Sequence, residues 1–288
     1  GPSACDVALV ASSFATLNVP FGPDLMDALL ALVHDLKTHG PRSQRYAQSQ
    51  NGLLQDVTMA LWGIACRGDG PDAMQWRGRD DAFEGLWDVA LAQPHNKFNK
   101  RDLCLLYHVW LHVQWEGSEA LCRRIHPPPP ALLYRLETSW LRSHQGCPSR
   151  DQELVSKALL RLGWAHQFEF ATAEGFLLDM ADPVTKTAVE FDGPVHYLRN
   201  SHSEPDTWRQ NGTTRFKHRL MEATGWKVCH VAYFDWARHR GPGNQEAYLR
   251  RHVPWLSRTG EANGLENKSE WTREQSGQGN RTDSRGAN

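Results

Sequence analysis

The spacing of hydrophobic residues changes once along the chain. Up to about residue 161, apolar residues recur every three or four positions, as in DLMDALLALVHDL at 24–36, which predicts amphipathic helices. From residue 164 the period shortens to two, and three successive strands are predicted at 165–172, 175–181 and 186–193. A helical part is therefore predicted to precede a part that contains a sheet.

The second part continues with a further alternation of elements. A polar loop is predicted over 194–211, followed by a helix at TRFKHRLMEATG, a fourth strand at WKVCHVAYF and a closing helix at NQEAYLRRHVPWL. Together with the helix predicted at ELVSKALLRLG, which precedes the first strand, the order is α-β-β-β-α-β-α.

The helical part contains an internal repeat. Phe14, Trp62 and Trp110 follow one another at intervals of 48 residues, and each lies in an apolar helical segment. Each segment is followed by a break and a second amphipathic run, and a repeated helix pair of about this length is typical of α-solenoids. We predict about three 48-residue helical units over 1–130. An ordinary helical bundle with coincidental spacing is the alternative.

Breaks in the pattern suggest the domain boundaries. The proline run 127–130 ends the third unit, because proline cannot continue a helix. A connecting helix is predicted over 131–146 and an α+β domain over 147–256. The segment 257–288 is rich in Gly, Asn, Ser, Glu and Arg and has almost no apolar residues, which predicts a disordered tail.

Composition narrows the class of protein. No apolar run approaches the ~20 residues needed to span a bilayer, so no membrane is expected as a partner. The chain has 32 Lys and Arg against 33 Asp and Glu, so any contact with nucleic acid must come from a local basic patch. The six cysteines form no CxxC pair, which argues against a disulfide framework or a Cys-rich zinc site.

A basic patch is present in the α+β part. Between residues 196 and 256 there are ten Arg or Lys and five Asp or Glu, together with six His. Arg215 and Arg219 are four residues apart on a predicted helix and are expected to share one face. We predict that Arg215, Lys217 and Arg219 contact backbone phosphates rather than base edges. An ordinary solvated surface is the alternative. The candidate RNA-binding residues are His196, Arg199, Arg209, Arg215, Lys217 and Arg219.

Three carboxylates are predicted to gather at one edge of the sheet. Glu190 and Asp192 are two apart on the third strand and face the same side, and Asp179 on the hairpin partner can lie opposite them. Carboxylates this close need a counter-charge, either a divalent metal or an Arg or Lys cluster. We expect one carboxyl pKa to be raised in the metal-free protein, and Asp179 and Glu190 are the predicted ligands of Mg²⁺ or Mn²⁺.

This arrangement resembles the core of the restriction-endonuclease-like nucleases, the PD-(D/E)XK group. There, one acidic residue and an acidic-x-Lys pair on a β-hairpin hold Mg²⁺ against the scissile phosphate. The resemblance implies Asp179, Glu190, Asp192 and Lys217 as candidate catalytic residues. Asp192 stands where that pattern has its lysine, so activity would require Lys217 or Arg219 to reach in from the next helix. A structural carboxylate cluster on a fold without catalysis is the alternative.

The stretch 150–254 resembles a more specific family, the RAP domain. The resemblance is carried by ELVSKALLRLGW, GFLLDMA, AVEFDGPVHYL and GWKVCHVAYFDW. It implies an RNA-binding domain with a restriction-endonuclease-like core, which typically follows helical repeats in mitochondrial or plastid proteins. The implied partners are organellar mRNA or rRNA, with ribosomal or RNA-granule proteins.

These observations predict an α+β protein in which α-solenoid-like repeats precede a restriction-endonuclease-like RAP domain. The predicted function is an organellar RNA-binding factor in RNA processing, stability, translation or ribosome assembly, in the mitochondrion or alternatively the plastid. Two other functions stay open. One is a metal-dependent endonuclease that uses Asp179 and Glu190, with RNA favoured over DNA. The other is a non-catalytic scaffold subunit of a mitochondrial ribosome or RNA granule.

Overall fold

The computed structural model describes residues 2–40, 50–67, 78–143, 148–199 and 207–256. The predicted disordered tail therefore lies outside the described residues. Within the described residues, the first part of the chain is built from seven helices: α1 (Ala4–Thr16), α2 (Pro23–His39), α3 (Gln50–Arg67), α4 (Arg79–Leu91), α5 (Lys100–Trp115), α6 (Glu119–Arg124) and α7 (Pro130–Leu141).

These helices form two rows. The odd-numbered helices pack on one another in chain order, and α2, α4 and α6 form the second row. α1 and α3 approach closely because small residues meet there: Ala11 is fully buried, and a Cβ on Gly63 would lie 3.0 Å from its carbonyl oxygen. Phe14, Trp62 and Trp110 lie on the first helix of successive pairs, α1, α3 and α5. The arrangement is one of layered helix pairs, and the 48-residue repeat stays a prediction.

The second part is a mixed sheet with helices on both sides. Its elements are α8 (Arg150–Arg161), β1 (Gln167–Ala171), β2 (Leu177–Asp182), β3 (Thr187–Asp192), β4 (Tyr197–Leu198), β5 (Arg209–Gln210), α9 (Gly212–Ala223), β6 (Lys227–Ala232), α10 (Tyr233–Arg238) and α11 (Pro242–His252). The main sheet has the order β1-β2-β3-β6. Neighbours are antiparallel except β3 and β6, which are parallel and are joined through the crossover helix α9.

The four predicted strands are confirmed, with two local differences. The fourth strand ends at Ala232, and Tyr233 begins the short helix α10 instead of continuing the strand. The predicted polar loop contains a two-stranded pair, in which Tyr197 pairs with Gln210 and Leu198 with Arg209. Such short strands of two residues give too little periodicity to be recognised in a sequence.

The sheet is covered on both faces. α8 and α11 pack on the face that carries Met180, Val189 and Phe191, and all three side chains are buried there. α9 and the helical part cover the opposite face, and Ala188 belongs to the same hydrophobic cluster as the buried residues of α1 to α7.

The predicted place of the carboxylates at a sheet edge is wrong. β6 pairs with β3 on the side away from β2, so β3 is an inner strand and is buried along its whole length. Glu190 is 7% exposed and Asp192 is 2% exposed. Within the part of the chain that the structure describes, no helix has both the length and the apolar character needed to cross a membrane.

Candidate functional site

Two carboxylates join β2 to β3 where their backbone pairing stops. The pairing runs from Asp182–Thr187 to Met180–Val189. At the next position the Asp179 backbone N–H donates to Glu190 Oε1 at 3.2 Å, and the Phe191 N–H donates to Asp179 Oδ2 at 2.8 Å. The two side chains therefore replace backbone hydrogen bonds and are held in place by the strands.

Lys217 of α9 supplies the positive charge of this cluster. Its Nζ donates to Glu190 Oε2 at 2.6 Å and to the Leu177 carbonyl oxygen at 2.8 Å. Lys217 is one of the two residues, Lys217 and Arg219, that the nuclease pattern would require to reach in from the next helix. The cluster of Asp179, Glu190 and Lys217 is referred to below as the acid–lysine cluster.

The electrostatics of the acid–lysine cluster agree with its burial. Burial, together with the charge of Glu190, raises the pKa of Asp179 to about 7. This confirms the expectation that one carboxyl pKa is raised in the metal-free protein. For Lys217, burial acts to lower the pKa, but the contact with Glu190 outweighs it and leaves the pKa raised. Lys217 is therefore charged and serves as the counter-ion.

The acid–lysine cluster as it stands fits an ammonium group better than a metal ion. Glu190 Oε1 and Oε2 and Asp179 Oδ2 each accept a hydrogen bond from the protein. A divalent cation would have to displace Lys217 in order to reach Glu190 Oε2. Among the described residues, no group of three or more His, Cys, Asp or Glu side chains is arranged to hold a metal. The predicted Mg²⁺ or Mn²⁺ site thus lacks a ready donor set.

Asp192 belongs to a separate pair although it lies on the same strand. His230 of β6 lies beside it, with Nδ1 at 2.8 Å from Asp192 Oδ2, and Gln210 Nε2 donates to the same oxygen at 2.6 Å. Burial alone would raise the pKa of Asp192, but these contacts, above all that with His230, lower it. The pKa of His230, which burial alone would lower, is raised by the contact with Asp192. Asp192 thus holds an imidazole where the nuclease pattern has a lysine.

Arg219 joins α9 to the helical part. Its Nε donates to Glu116 Oε1 at 2.8 Å, and its Nη1 and Nη2 donate to the carbonyl oxygens of Cys66 and Ala65 at 2.8 and 3.0 Å. Of the two α9 cations that the nuclease pattern would require, Lys217 therefore reaches the carboxylates and Arg219 binds the helical part. Arg215 is exposed, so these two arginines differ in their surroundings although they lie one helical turn apart.

A cavity of about 360 Å³ lies between the sheet, α9 and the helical part. Its polar wall includes Glu190, Asp192, Lys217, His218 and His230. The rings of His218 and His230 are 4.6 Å apart, and burial lowers the pKa of His218, as does the charge of His230. We did not single out either histidine from the sequence. The signal that could have identified His230 is its polar side chain within the apolar pattern of β6, because a buried polar residue needs a partner. In the β3–β6 register His230 lies beside Glu190.

Exposed arginines lie on the segment that follows β3. Arg199 directly follows β4, Arg209 lies on β5, and Arg215 is near the start of α9. The Arg199 guanidinium lies 5.9 Å from the ring centre of Trp208, close enough for a cation–π contact. His196 joins this segment to α9 through a 3.0 Å contact between its Nδ1 and Thr214 Oγ1. We refer to Arg199, Arg209 and Arg215 as the exposed arginines.

Fold and site together define a class of α+β protein in which a helical part packs on a small mixed sheet over a buried acid–lysine cluster. The family model of the RAP domain matches residues 189–252, from within β3 to the end of α11. This match confirms the RAP domain that the motifs predicted in this part of the chain.

A curated protein that resembles this chain is the RAP domain-containing protein, chloroplastic, of Oryza sativa subsp. japonica. The two are 32% identical over 110 residues. The aligned residues are 38% of this chain and only 16% of the rice protein's length.

Proposed function

We propose that this RAP-domain protein binds RNA, with the exposed arginines as its phosphate contacts. The observation that carries the proposal is the division of its cations into two groups. Lys217 and Arg219 are engaged by Glu190 and Glu116, whereas the exposed arginines lie at the surface, beside β4, on β5 and near the start of α9. Exposed guanidinium groups are the usual contacts for RNA phosphates. His196, with its side chain 40% exposed, belongs to the same surface.

The biological setting proposed is an organelle. RAP domains are generally RNA-binding, which supports a factor for processing, stabilising or translating organellar mRNA, or for assembling the ribosome on rRNA. The word "chloroplastic" in the rice protein's name supports a plastid. The mitochondrion, and ribosomal or RNA-granule proteins as partners, stay predictions.

A binding titration tests the RNA proposal. Single-stranded RNA of about 12 nucleotides, a length in the range of common single-strand sites, is titrated at several salt concentrations. We expect the triple Ala variant of the exposed arginines to lose affinity and to show a shallower salt dependence. The matched control removes the same charge from the α8 and α11 side, through Arg161, Arg250 and Arg251 to Ala. Equal losses in both variants, or none, would contradict the proposal.

A metal-dependent endonuclease, acting on RNA in preference to DNA, is the second candidate. The observation that favours it is the acid–lysine cluster itself, since Lys217, one of the two cations that this function would require near the carboxylates, donates to Glu190. For this function, Lys217 would have to give way to the metal at Glu190. Structured RNA is incubated with Mg²⁺ or Mn²⁺ and with wild type, Asp179→Ala or the turn control Asp182→Ala. Cleavage that is absent, or that survives Asp179→Ala, would rule this candidate out.

The scaffold alternative gives a third outcome in the same experiments. A subunit of a mitochondrial ribosome or RNA granule would sediment with a large particle and bind the free oligonucleotide poorly. Binding of the isolated protein to free RNA, lost in the exposed-arginine variant alone, would contradict it.

A further inference from the structure

The cavity above β3 has the size of a site for one small ligand. Its volume of about 360 Å³ lies at the lower end of the range of about 300–1,000 Å³ typical of ligand pockets. The sheet and α9 form two of its walls. His108 of α5 and Trp140 of α7 contribute a third, so the helical part completes a pocket that begins on the RAP domain.

Aromatic rings from the helical part and from the sheet part line the cavity together. His108 is parallel to Phe176, with ring planes 5° apart and centres 6.0 Å apart. Trp140 meets Phe176 edge-on at 5.6 Å, and Phe216 lies 6.0 Å from His108. Rings arranged in this way hold flat ligands through face and edge contacts. A planar heterocycle therefore suits this wall better than a bare phosphate does.

Two polar groups on the opposite wall retain hydrogen-bonding capacity. Lys217 has three N–H donors, and Glu190 and the Leu177 carbonyl accept from two of them. His230 points its Nδ1 at Asp192, while its buried Nε2 has no hydrogen-bond partner among the described residues. A buried polar atom without a partner costs free energy, which a ligand with a polar edge would recover.

The mouth of the cavity lies beside the exposed arginines. Val195 and His196 line it, and Val195 is 80% exposed. Because Asn211 and Thr214 at the start of α9 also line the cavity, Arg215 follows directly on its rim. A ligand that carries both a flat ring and a negative charge would place the ring inside and the charge at the rim.

We propose that this cavity is a base pocket, which takes one unstacked nucleobase of a bound single-stranded RNA. The exposed arginines then hold the phosphates of that nucleotide and its neighbours outside the pocket. Bases that leave the stack are held in this way, between rings and with their polar edge hydrogen-bonded. The proposal rests on the RNA-binding function proposed above and adds the place where a base is received.

The test uses single nucleotides, which can enter the pocket whatever the register of an RNA strand. The 5′-monophosphates of adenosine, cytidine, guanosine and uridine are titrated to millimolar concentration while the imidazole NMR signals are recorded. We expect at least one nucleotide to shift the signals of His218 and His230. Val195→Trp places a bulky ring at the mouth and should lower the affinity for that nucleotide by about ten-fold. The matched control is Val184→Trp on the β2–β3 turn, where Val184 is 91% exposed.

The outcomes separate the base pocket from RNA binding in general. If the oligonucleotide binds but no nucleotide moves the His218 and His230 signals, the base pocket is wrong and the RNA-binding function stands. Shifts confined to His196 would mean a phosphate at the rim and would also overturn the pocket. Equal weakening by Val195→Trp and Val184→Trp overturns it too. If neither nucleotides nor the oligonucleotide bind, both proposals fail.

Discussion

The two faces of the four-stranded sheet are built from different kinds of residue. The face under α8 and α11 presents Met180, Val189 and Phe191 to Leu159 and Leu249. Burial of this apolar area favours folding, and its close packing leaves little freedom to the side chains.

The opposite face, under α9, carries most of the polar chemistry. Glu190 and Asp192 lie here on the same strand as Val189 and Phe191, and each has a different partner, the Lys217 ammonium or the His230 imidazole. Burying these charges costs free energy that paired cations only partly offset. One face of the sheet therefore mainly stabilises the fold, and the other forms the wall of the candidate site. Four measurements can break or sharpen that distinction.

The largest effect is expected on the apolar face. Leu159→Ala removes a fully buried side chain and should lower the free energy of unfolding by about 3 kcal/mol. RNA affinity of the folded fraction should be unchanged. Urea denaturation measures the first quantity and an RNA titration the second. Leu160→Ala, an exposed leucine one position along α8, is the control and should be nearly neutral. A loss of RNA affinity in Leu159→Ala would break the distinction.

The polar face should respond to loss of its cation. Lys217→Met leaves Glu190 and Asp179 without a counter-charge. Because the Lys217 side chain is 35% exposed, we expect a loss of about 2 kcal/mol in unfolding free energy, less than for a fully buried pair. The double variant Lys217→Met with Glu190→Gln should recover part of it. Lys157→Met, at an exposed pair with Glu153, is the control and should cost little. If Lys217→Met leaves the free energy of unfolding unchanged, Lys217 is not the counter-charge of the two carboxylates.

The dependence of stability on pH should report Asp179. Its folded pKa of about 7 is above the unfolded value of about 4, so its contribution is full below pH 4 and is lost as the pH rises towards 7. Asp179→Asn should therefore be more stable than wild type at pH 8, by on the order of 2 kcal/mol, with the gap shrinking on acidification.

Asp182→Asn controls for this pH experiment, since the hydrogen bond from Thr185 lowers the pKa of Asp182 and gives a stability contribution of opposite sign. We expect that variant to be slightly less stable than wild type at neutral pH. Thermal unfolding at intervals from pH 4 to pH 8 measures both. A gap between wild type and Asp179→Asn that stays constant over this range would contradict the raised pKa.

The smallest effect is expected at a single exposed arginine. Arg215→Ala should weaken RNA binding a few-fold and reduce the salt slope by about one, with unfolding free energy unchanged. Arg161→Ala on α8 removes the same charge on the apolar side of the sheet and should leave RNA binding unaltered. Fluorescence anisotropy at several salt concentrations measures both. If the two variants have the same salt dependence of RNA binding, RNA does not bind preferentially on the side of the exposed arginines.

The sequence alone determined the order of the main elements and the presence of the RAP domain. A change of period from 3.6 to 2 is a local property, so the strands at 167–171, 177–182 and 187–192 were predicted to within a few residues. The RAP motifs are also local and were recognised directly. Glu190 and Asp192 are two positions apart on one strand, and their predicted place on the same face of the sheet is correct.

Only the tertiary structure decided which partners these residues have. Lys217 meets Glu190 across 27 residues, His230 meets Asp192 across 38, and Arg219 meets Glu116 across 103. The Lys217 and Arg219 pairings depend on where α9 crosses the sheet and meets the helical part, and the His230 pairing depends on the β3–β6 register. Both are properties of the whole fold. A charged side chain in a sequence shows that a partner is needed, but long-range packing selects that partner, because burial makes an unpaired charge costly wherever it lies.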